Sequence, residues 1–146
     1  MKKIISQIGK INIAGFFLIG GSALFIGFTS MKTAGDEKWV APASADKVTN
    51  PVAASEANLA SGKDIFNKTC AICHGKKGKG DGPKTAELDK PVGDFTKEEF
   101  IKQSDGAIFW KITEGRKPMP SFKKEMTEEQ RWLLVNYVKT LNPKKK

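Results

Sequence analysis

Cys70-Ala71-Ile72-Cys73-His74 decides how the rest of this 146-residue chain is read. The chain has two cysteines and one histidine, and all three fall within these five positions. Two thiols one helical turn apart can add across the two vinyl groups on one edge of a haem. The residue that follows can then swing its imidazole beneath the iron. Two other chemistries share part of the pattern. A thioredoxin-like dithiol belongs in a βαβ context, which the flanking sequence lacks. Structural zinc takes four protein ligands, and no further Cys or His exists to complete the set. A disulfide across so short a loop would constrain almost nothing. The stretch is therefore read as the attachment site of one covalently bound haem c, an iron protoporphyrin held by Cys70 and Cys73, with His74 as an axial ligand to the iron.

The second axial ligand follows by elimination. With a single histidine, bis-His ligation within the chain is impossible, and a thioether is the usual alternative, one that raises the reduction potential. Of the four methionines, Met1 and Met31 lie in or beside an N-terminal apolar run, and Met126 precedes the last helix as a packing or exposed residue. Met119 stands in Lys117-Pro118-Met119-Pro120, where the prolines forbid helix and hold an extended loop from which a ligand can project. Met119 is the expected sixth ligand. The alternative is a sixth site that is open or held by water.

Around this site the signals are helical, with almost no sign of strand. Ser55 can cap a helix running through Ile65 and Phe66 into Cys70. Thr96 with Glu99, and Thr127 with Gln130, have capping-box spacing. Ser104 opens a short helix that Gly115 would close. From Glu128 to Leu141, Trp132, Val135, Val138 and Leu141 recur at helical spacing, with Leu134 and Tyr137 beside them. Gly75 to Gly93 is a Gly/Lys/Asp-rich loop with Pro83 and Pro91. Three or four helices in under 90 residues make a thin core that a large flat apolar cofactor would complete.

Toward the N-terminus the composition changes twice. Lys2, Lys3 and Lys10 precede an uncharged apolar run from Ile11 to Thr29, long enough as a helix to cross most of a ~30 Å hydrocarbon core. An uncleaved transmembrane anchor is favoured over a long signal peptide, since the best cleavage site, Ala43-Ser44-Ala45, lies far beyond the run. Either way the lysines keep the N-terminus in the cytoplasm, and the remainder is exported to the outer, periplasmic face of a bacterial cytoplasmic (inner) membrane. After the run come Ala, Ser, Thr and Pro, read as a flexible linker. Trp39 within it is read as an interfacial or solvent-facing residue, or as a docking residue for a membrane partner. The expected organisation is an anchor at 1–29, a linker at 30–53 and a haem domain at 54–146.

From about Ala54 to Leu141 the chain resembles the class I cytochrome c domain, in particular its membrane-tethered bacterial monohaem members. The resemblance rests on Cys70–His74, on Gly115-Arg116-Lys117-Pro118-Met119-Pro120-Ser121-Phe122, and on Trp132 to Leu141, which occur in the family's order. It implies an all-α fold around one covalent haem, here preceded by a transmembrane helix and a flexible linker. It also implies a crossing of first and last helices at Gly62 and Phe66, facing Leu134 and Tyr137. In the family a proline carbonyl accepts the ligand histidine's other N–H, a role that falls to Pro83, with Pro91 as the second choice. The lysine-dense loop Lys76–Lys79 departs from the family's pattern.

An iron with two strong axial ligands has no position open to substrate, which leaves outer-sphere electron transfer rather than enzyme chemistry. The expected function is one-electron transfer by a His/Met-ligated haem, as a membrane-tethered carrier between respiratory complexes. The alternatives are a haem subunit fixed in an oxidase or reductase complex, and a haem sensor or enzyme with an open sixth site. Ile72, Phe95, Ile108, Trp110, Ile112 and Phe122 are candidate pocket residues, Trp110 also as a donor to a haem propionate. Setting Lys2, Lys3 and Lys10 aside leaves 22 of the 25 Lys and Arg, against 16 Asp and Glu. Lys76, Lys77, Lys79 and Lys84 follow the attachment site, and Arg116, Lys117, Lys123 and Lys124 surround Met119. Such charge is a solvated surface or steers acidic redox partners. Export and the lack of a recognition motif argue against nucleic acid. The chain is expected to be a monomer or one subunit of a larger complex.

Overall fold

The computed structural model describes residues 38–142. The expected anchor at 1–29 and the first part of the expected linker lie outside the described residues, and the chain divides into two units between Glu37 and Lys38. Among the described residues no helix is long and apolar enough to cross a membrane.

The described part is helical: α1 Glu56–Ile65, α2 Ala71–His74, α3 Glu98–Ile101, α4 Asp105–Glu114 and α5 Glu128–Thr140. Most of the starts are written in the sequence. Ser55 is extended and its Oγ accepts from the Asn58 N–H at 3.2 Å. From there the chain runs without a break through a wide π turn, Phe66–Cys70, into α2. The Ser104 Oγ accepts from the Ala107 N–H at 3.0 Å, and α4 ends at Gly115. At α5 the Thr127–Gln130 capping box is complete in both directions. The box expected at Thr96 and Glu99 is not formed. Thr96 instead donates to Asp94 Oδ1 from both its N–H, at 2.8 Å, and its hydroxyl, at 2.6 Å. A carboxylate two residues upstream outcompetes the helix for the threonine, and α3 starts from Lys97 with no side-chain cap.

The first and last helices cross where a side chain is absent. A Cβ at Gly62 would lie 2.3 Å from the Leu133 carbonyl oxygen and 2.9 Å from the Tyr137 Cβ. One turn on, the Phe66 and Tyr137 rings are 5.2 Å apart. Tyr137 is thus the expected partner, whereas the close approach is to the Leu133 backbone rather than to Leu134. The core comprises Phe66, Ala71, Ile108, Ile112, Phe122, Trp132, Leu134, Val135 and Val138. Arg131 through Val135 are all buried, so α5 is covered on every side of that stretch.

Part of that cover corrects the linker expectation: from Lys38 on, the linker is folded onto α4 and α5. Ala45 is 6% exposed, in a short 3₁₀ turn, Ala45–Lys47, packed on α4. The Asn50 Nδ2 donates to Asn136 Oδ1 at 2.8 Å, and the Asn136 Nδ2 donates to the Val52 carbonyl at 2.9 Å. The Ser104 hydroxyl donates to Asp46 at 2.6 Å. Small residues make a pliant tether, but they also let a backbone lie flat on a helix. Here Gly106 leaves no room for a Cβ beneath the Ala45 carbonyl. Trp39 is likewise half-buried rather than free of the fold, with its ring edge-on to Trp110.

Candidate functional site

The continuous helix from Ser55 delivers Cys70 at its wide turn, and α2 is the single turn that carries Ala71 to His74 before Gly75 ends it. The carbonyls this ending leaves free are taken up by the following loop. The Gly80 N–H donates to the His74 carbonyl at 2.9 Å, and the Gly82 N–H to the Cys73 carbonyl at 3.1 Å. The Thr85 hydroxyl also donates to the Cys73 carbonyl, at 2.9 Å. Farther along, the Phe95 N–H donates to the Gly78 carbonyl at 2.7 Å. That bond helps hold Phe95 beside His74, where the two rings stack with centroids 4.5 Å apart.

Both thiols are half-buried and free. Burial, and secondly the neighbouring Cys73, push the Cys70 thiol up to about 12. Burial also lowers the pKa of His74, while the Gly93 backbone works in the opposite direction. The imidazole is thus biased to the neutral form that a metal ligand requires. Its Nδ1 is buried, and no group meets it at hydrogen-bond geometry. The contact expected from Pro83 is therefore not formed. Pro83 is exposed at the start of a 3₁₀ turn, Pro83–Glu87, and the backbone group that acts on the ring is Gly93, two residues beyond Pro91.

The second half of the site is the loop after α4. Gly115 has φ of +66°, and a Cβ there would meet the Pro120 carbonyl carbon at 2.5 Å, so the loop closes over a position only glycine can hold. Arg116 and Met119 exchange backbone hydrogen bonds at 3.0 Å in both directions across the tight turn. The Lys117–Pro118 peptide within it is cis. The Ser121 hydroxyl donates to the Thr113 carbonyl at 2.6 Å, and the Phe122 N–H donates to the Ile112 carbonyl at 3.2 Å. The loop is thereby pinned back onto α4. Met119, Cys70 and Phe95 pack against the same core cluster, of which Phe122, 6% exposed, is a member. Met126 packs there too, so burial does not separate the two methionines.

Of the other expected pocket residues, Ile108 and Ile112 are buried in the core, and Trp110 is half-buried against Trp39. Ile72 is 51% exposed and is not a core residue. Its place between two cysteines on a one-turn helix, with Ala71 and Cys70 turned inward, sends it outward. Lys76, Lys77, Lys79, Lys84, Arg116, Lys117, Lys123 and Lys124 are all exposed. A cavity of about 330 Å³ between α3 and α5, reaching Phe100, Lys102 and Val138, includes none of the chemistry-bearing residues.

Arg131 was not singled out by the sequence. It is 7% exposed, its Nη1 donates to the Thr113 Oγ1 at 3.1 Å, and its guanidinium lies 5.0 Å from the Phe109 ring centroid. The same Thr113 accepts from Ser121 through its carbonyl, so a buried cation on α5 is linked to the Met119 loop through one residue. The only hint in the sequence is its place immediately before the apolar run at Trp132.

Two uncrosslinked thiols at CxxCH spacing and a neutral imidazole with an orphaned, buried ring nitrogen fit haem c, as does the aromatic and aliphatic cluster beside them. Comparison with known proteins agrees. Residues 57–138 match the family model described as cytochrome c oxidase, cbb3-type, subunit III. Cytochrome c6 of Thermosynechococcus vestitus is 31% identical over 86 residues, which are 59% of this chain and 72% of that protein. Cytochrome c6 of Parathermosynechococcus lividus is 30% identical over 82 residues, or 56% of this chain and 88% of that one. Among solved structures, a chain of the reducing HAO-like protein complex of Kuenenia stuttgartiensis superposes with a TM-score of 0.58 at 35% identity. That match covers 63% of this chain but only 47% of the Kuenenia chain.

Proposed function

The chain belongs to the monohaem class I cytochrome c family, and on that premise we propose that it carries single electrons between protein partners, with Cys70 and Cys73 holding haem c and His74 and Met119 as its axial ligands. The observation that carries the reading is the pinned Met119 loop. It is tied to α4 by Ser121 and Phe122 and closed on itself by Arg116, with Met119 turned to the cluster that also receives Cys70. When bound, haem c supplies a one-electron Fe(III)/Fe(II) couple, which a soft sulfur ligand biases toward Fe(II). The chain's own contribution is to hold two ligands of fixed type. Burial keeps His74 neutral, Phe95 fixes the plane of its ring, and the loop presents a thioether without helix fraying. With His74 and Met119 both held to the iron when haem c is bound, no position would be left for substrate.

The exposed lysines after His74 and around Met119 support docking to redox partners with acidic surfaces. The N-terminal lysines and uncharged run support tethering to the cytoplasmic membrane, with the haem domain on its outer face. A place as a fixed subunit of a complex is the second reading, favoured by the likeness to a chain of a multiprotein assembly. Co-purification of a stable complex from solubilised membranes would select it over the free carrier.

The attachment is tested with the double variant Cys70→Ala/Cys73→Ala, made in a host that attaches haem c. The parent should keep a haem-stained band in a denaturing gel and titrate as a single one-electron wave. The variant should lose the stained band and most of its helical circular dichroism, since the cofactor supplies much of a small core. A variant that still stains would refute the reading.

A further inference from the structure

Residues 38–53 precede the 57–138 stretch that matches the family, and one of them reaches the base of the Met119 loop. The Trp39 ring lies edge-on to Trp110, with centroids 6.4 Å apart at 61°. The Arg116 guanidinium carbon is 5.1 Å from the Trp39 ring centroid, and the Lys111 Nζ is 5.5 Å from it. Cations within about 6 Å of a ring centroid are drawn to its electron-rich face, and indole attracts them most strongly. The two cations belong to different parts of the site. Lys111 is on α4, where it also donates to Gln103, and Arg116 opens the loop and pairs with Met119 in both directions.

A single indole thus spans the joint between α4 and the ligand loop. Without it, two positive side chains would face each other across that joint. Lys111 already registers the strain: burial lowers its pKa first, followed by Arg116 and Lys38, with Asp46 opposing. Trp39 is itself held from behind. The chain after it is seated at Ala45 on α4, and beyond that seat Asn50 makes a separate contact with α5.

We propose that Trp39 is a positioning residue for the Met119 loop: it holds Arg116 against α4, and with it the Arg116–Met119 bridge, so that Met119 leaves the iron less often. The inference rests on Met119 being an axial ligand. It gives the N-terminal strap a role in ligand retention beyond covering helices.

The test uses full-length holoprotein and a readout that packing alone would not move, the rate at which added cyanide displaces the sixth ligand of the ferric form. Trp39→Ala should bind cyanide about tenfold faster than the parent, from the loss of two cation–π contacts. Trp39→Phe, which keeps a ring face, should restore most of the difference. Asn50→Ala, which loosens the strap on α5 away from the loop, should lower the denaturant midpoint and leave the cyanide rate unchanged. If Trp39→Ala binds cyanide at the parent rate while the parent shows the far-red thioether-to-iron band, the inference is overturned and the ligand reading stands. If Asn50→Ala accelerates binding as much as Trp39→Ala, the strap acts through stability alone and the inference is again overturned. A parent that lacks the thioether band overturns both.

Discussion

At the scale of single residues, the site depends on polar groups placed where water does not reach. Arg131 is the extreme case, a buried guanidinium that meets a threonine hydroxyl and an aromatic face. Thr113→Val keeps the volume and leaves intact the backbone carbonyl that receives Ser121. It removes the hydroxyl that accepts from the Arg131 Nη1. A charged donor deprived of its partner costs about 1–3 kcal/mol, so the holoprotein should lose roughly that much in denaturant-monitored unfolding. A shift too small to measure would mean the guanidinium finds another partner and contributes little to holding α4 on α5. The attachment motif is different in kind. Cys70, Cys73 and His74 are adjacent in sequence, so one helical turn brings them together, and they were legible without any knowledge of the fold.

At the scale of elements, legibility followed how local the cause was. Helix starts at Ser55, Ser104 and Thr127 are set by a side chain reaching three residues ahead, and all three caps are formed. The failure at Thr96 has an equally local cause, because Asp94 claimed the hydroxyl first. The crossing at Gly62 was implied by the family resemblance rather than by local spacing, and the structure gives its cause, an approach to the Leu133 carbonyl too close for any side chain. What could not be read depends on partners far along the chain. Asn50 looks like a linker residue until Asn136, 86 positions later, is placed against it. The same holds for Trp39 against Trp110 and for Arg131 against Thr113. That the Gly93 backbone rather than Pro83 acts on His74 reflects the path of the loop from Gly75 to Gly93, which no local spacing determines.

At the scale of the whole molecule, charge decides what the protein meets. The sequence carries a formal net charge of +9, and the lysines flanking both halves of the site are exposed. Exposed charges act over about 10 Å at 0.1 M salt and progressively less above it. Oxidation of the reduced holoprotein by an anionic one-electron oxidant should therefore slow by roughly tenfold between low and high ionic strength, and a cationic oxidant should show the opposite trend. Stopped-flow rates at matched driving force measure this directly. Rates that do not change with salt for either reagent would mean the lysines lie away from the path of electron entry. Where the rates do depend on salt, Lys77→Glu and Lys117→Glu report which half of the basic surface, beside the attachment helix or beside the Met119 loop, carries the effect.

The central claim is that Met119 and His74 together close the iron to everything except electrons, and it is tested most directly by the optical spectrum and carbon monoxide binding of Met119→Ala beside Met126→Ala. Both methionines pack on the same core cluster, so Met126→Ala controls for lost packing, about 2–5 kcal/mol if its side chain behaves as buried core. Met119→Ala alone should lose the far-red thioether-to-iron band, lower the reduction potential and bind carbon monoxide readily in the reduced state. Met126→Ala should retain the band and, like the parent, bind carbon monoxide slowly or not at all. A parent that already binds carbon monoxide fast, with Met119→Ala indistinguishable from it, would contradict the account and leave a haem sensor or enzyme with an open sixth position in its place.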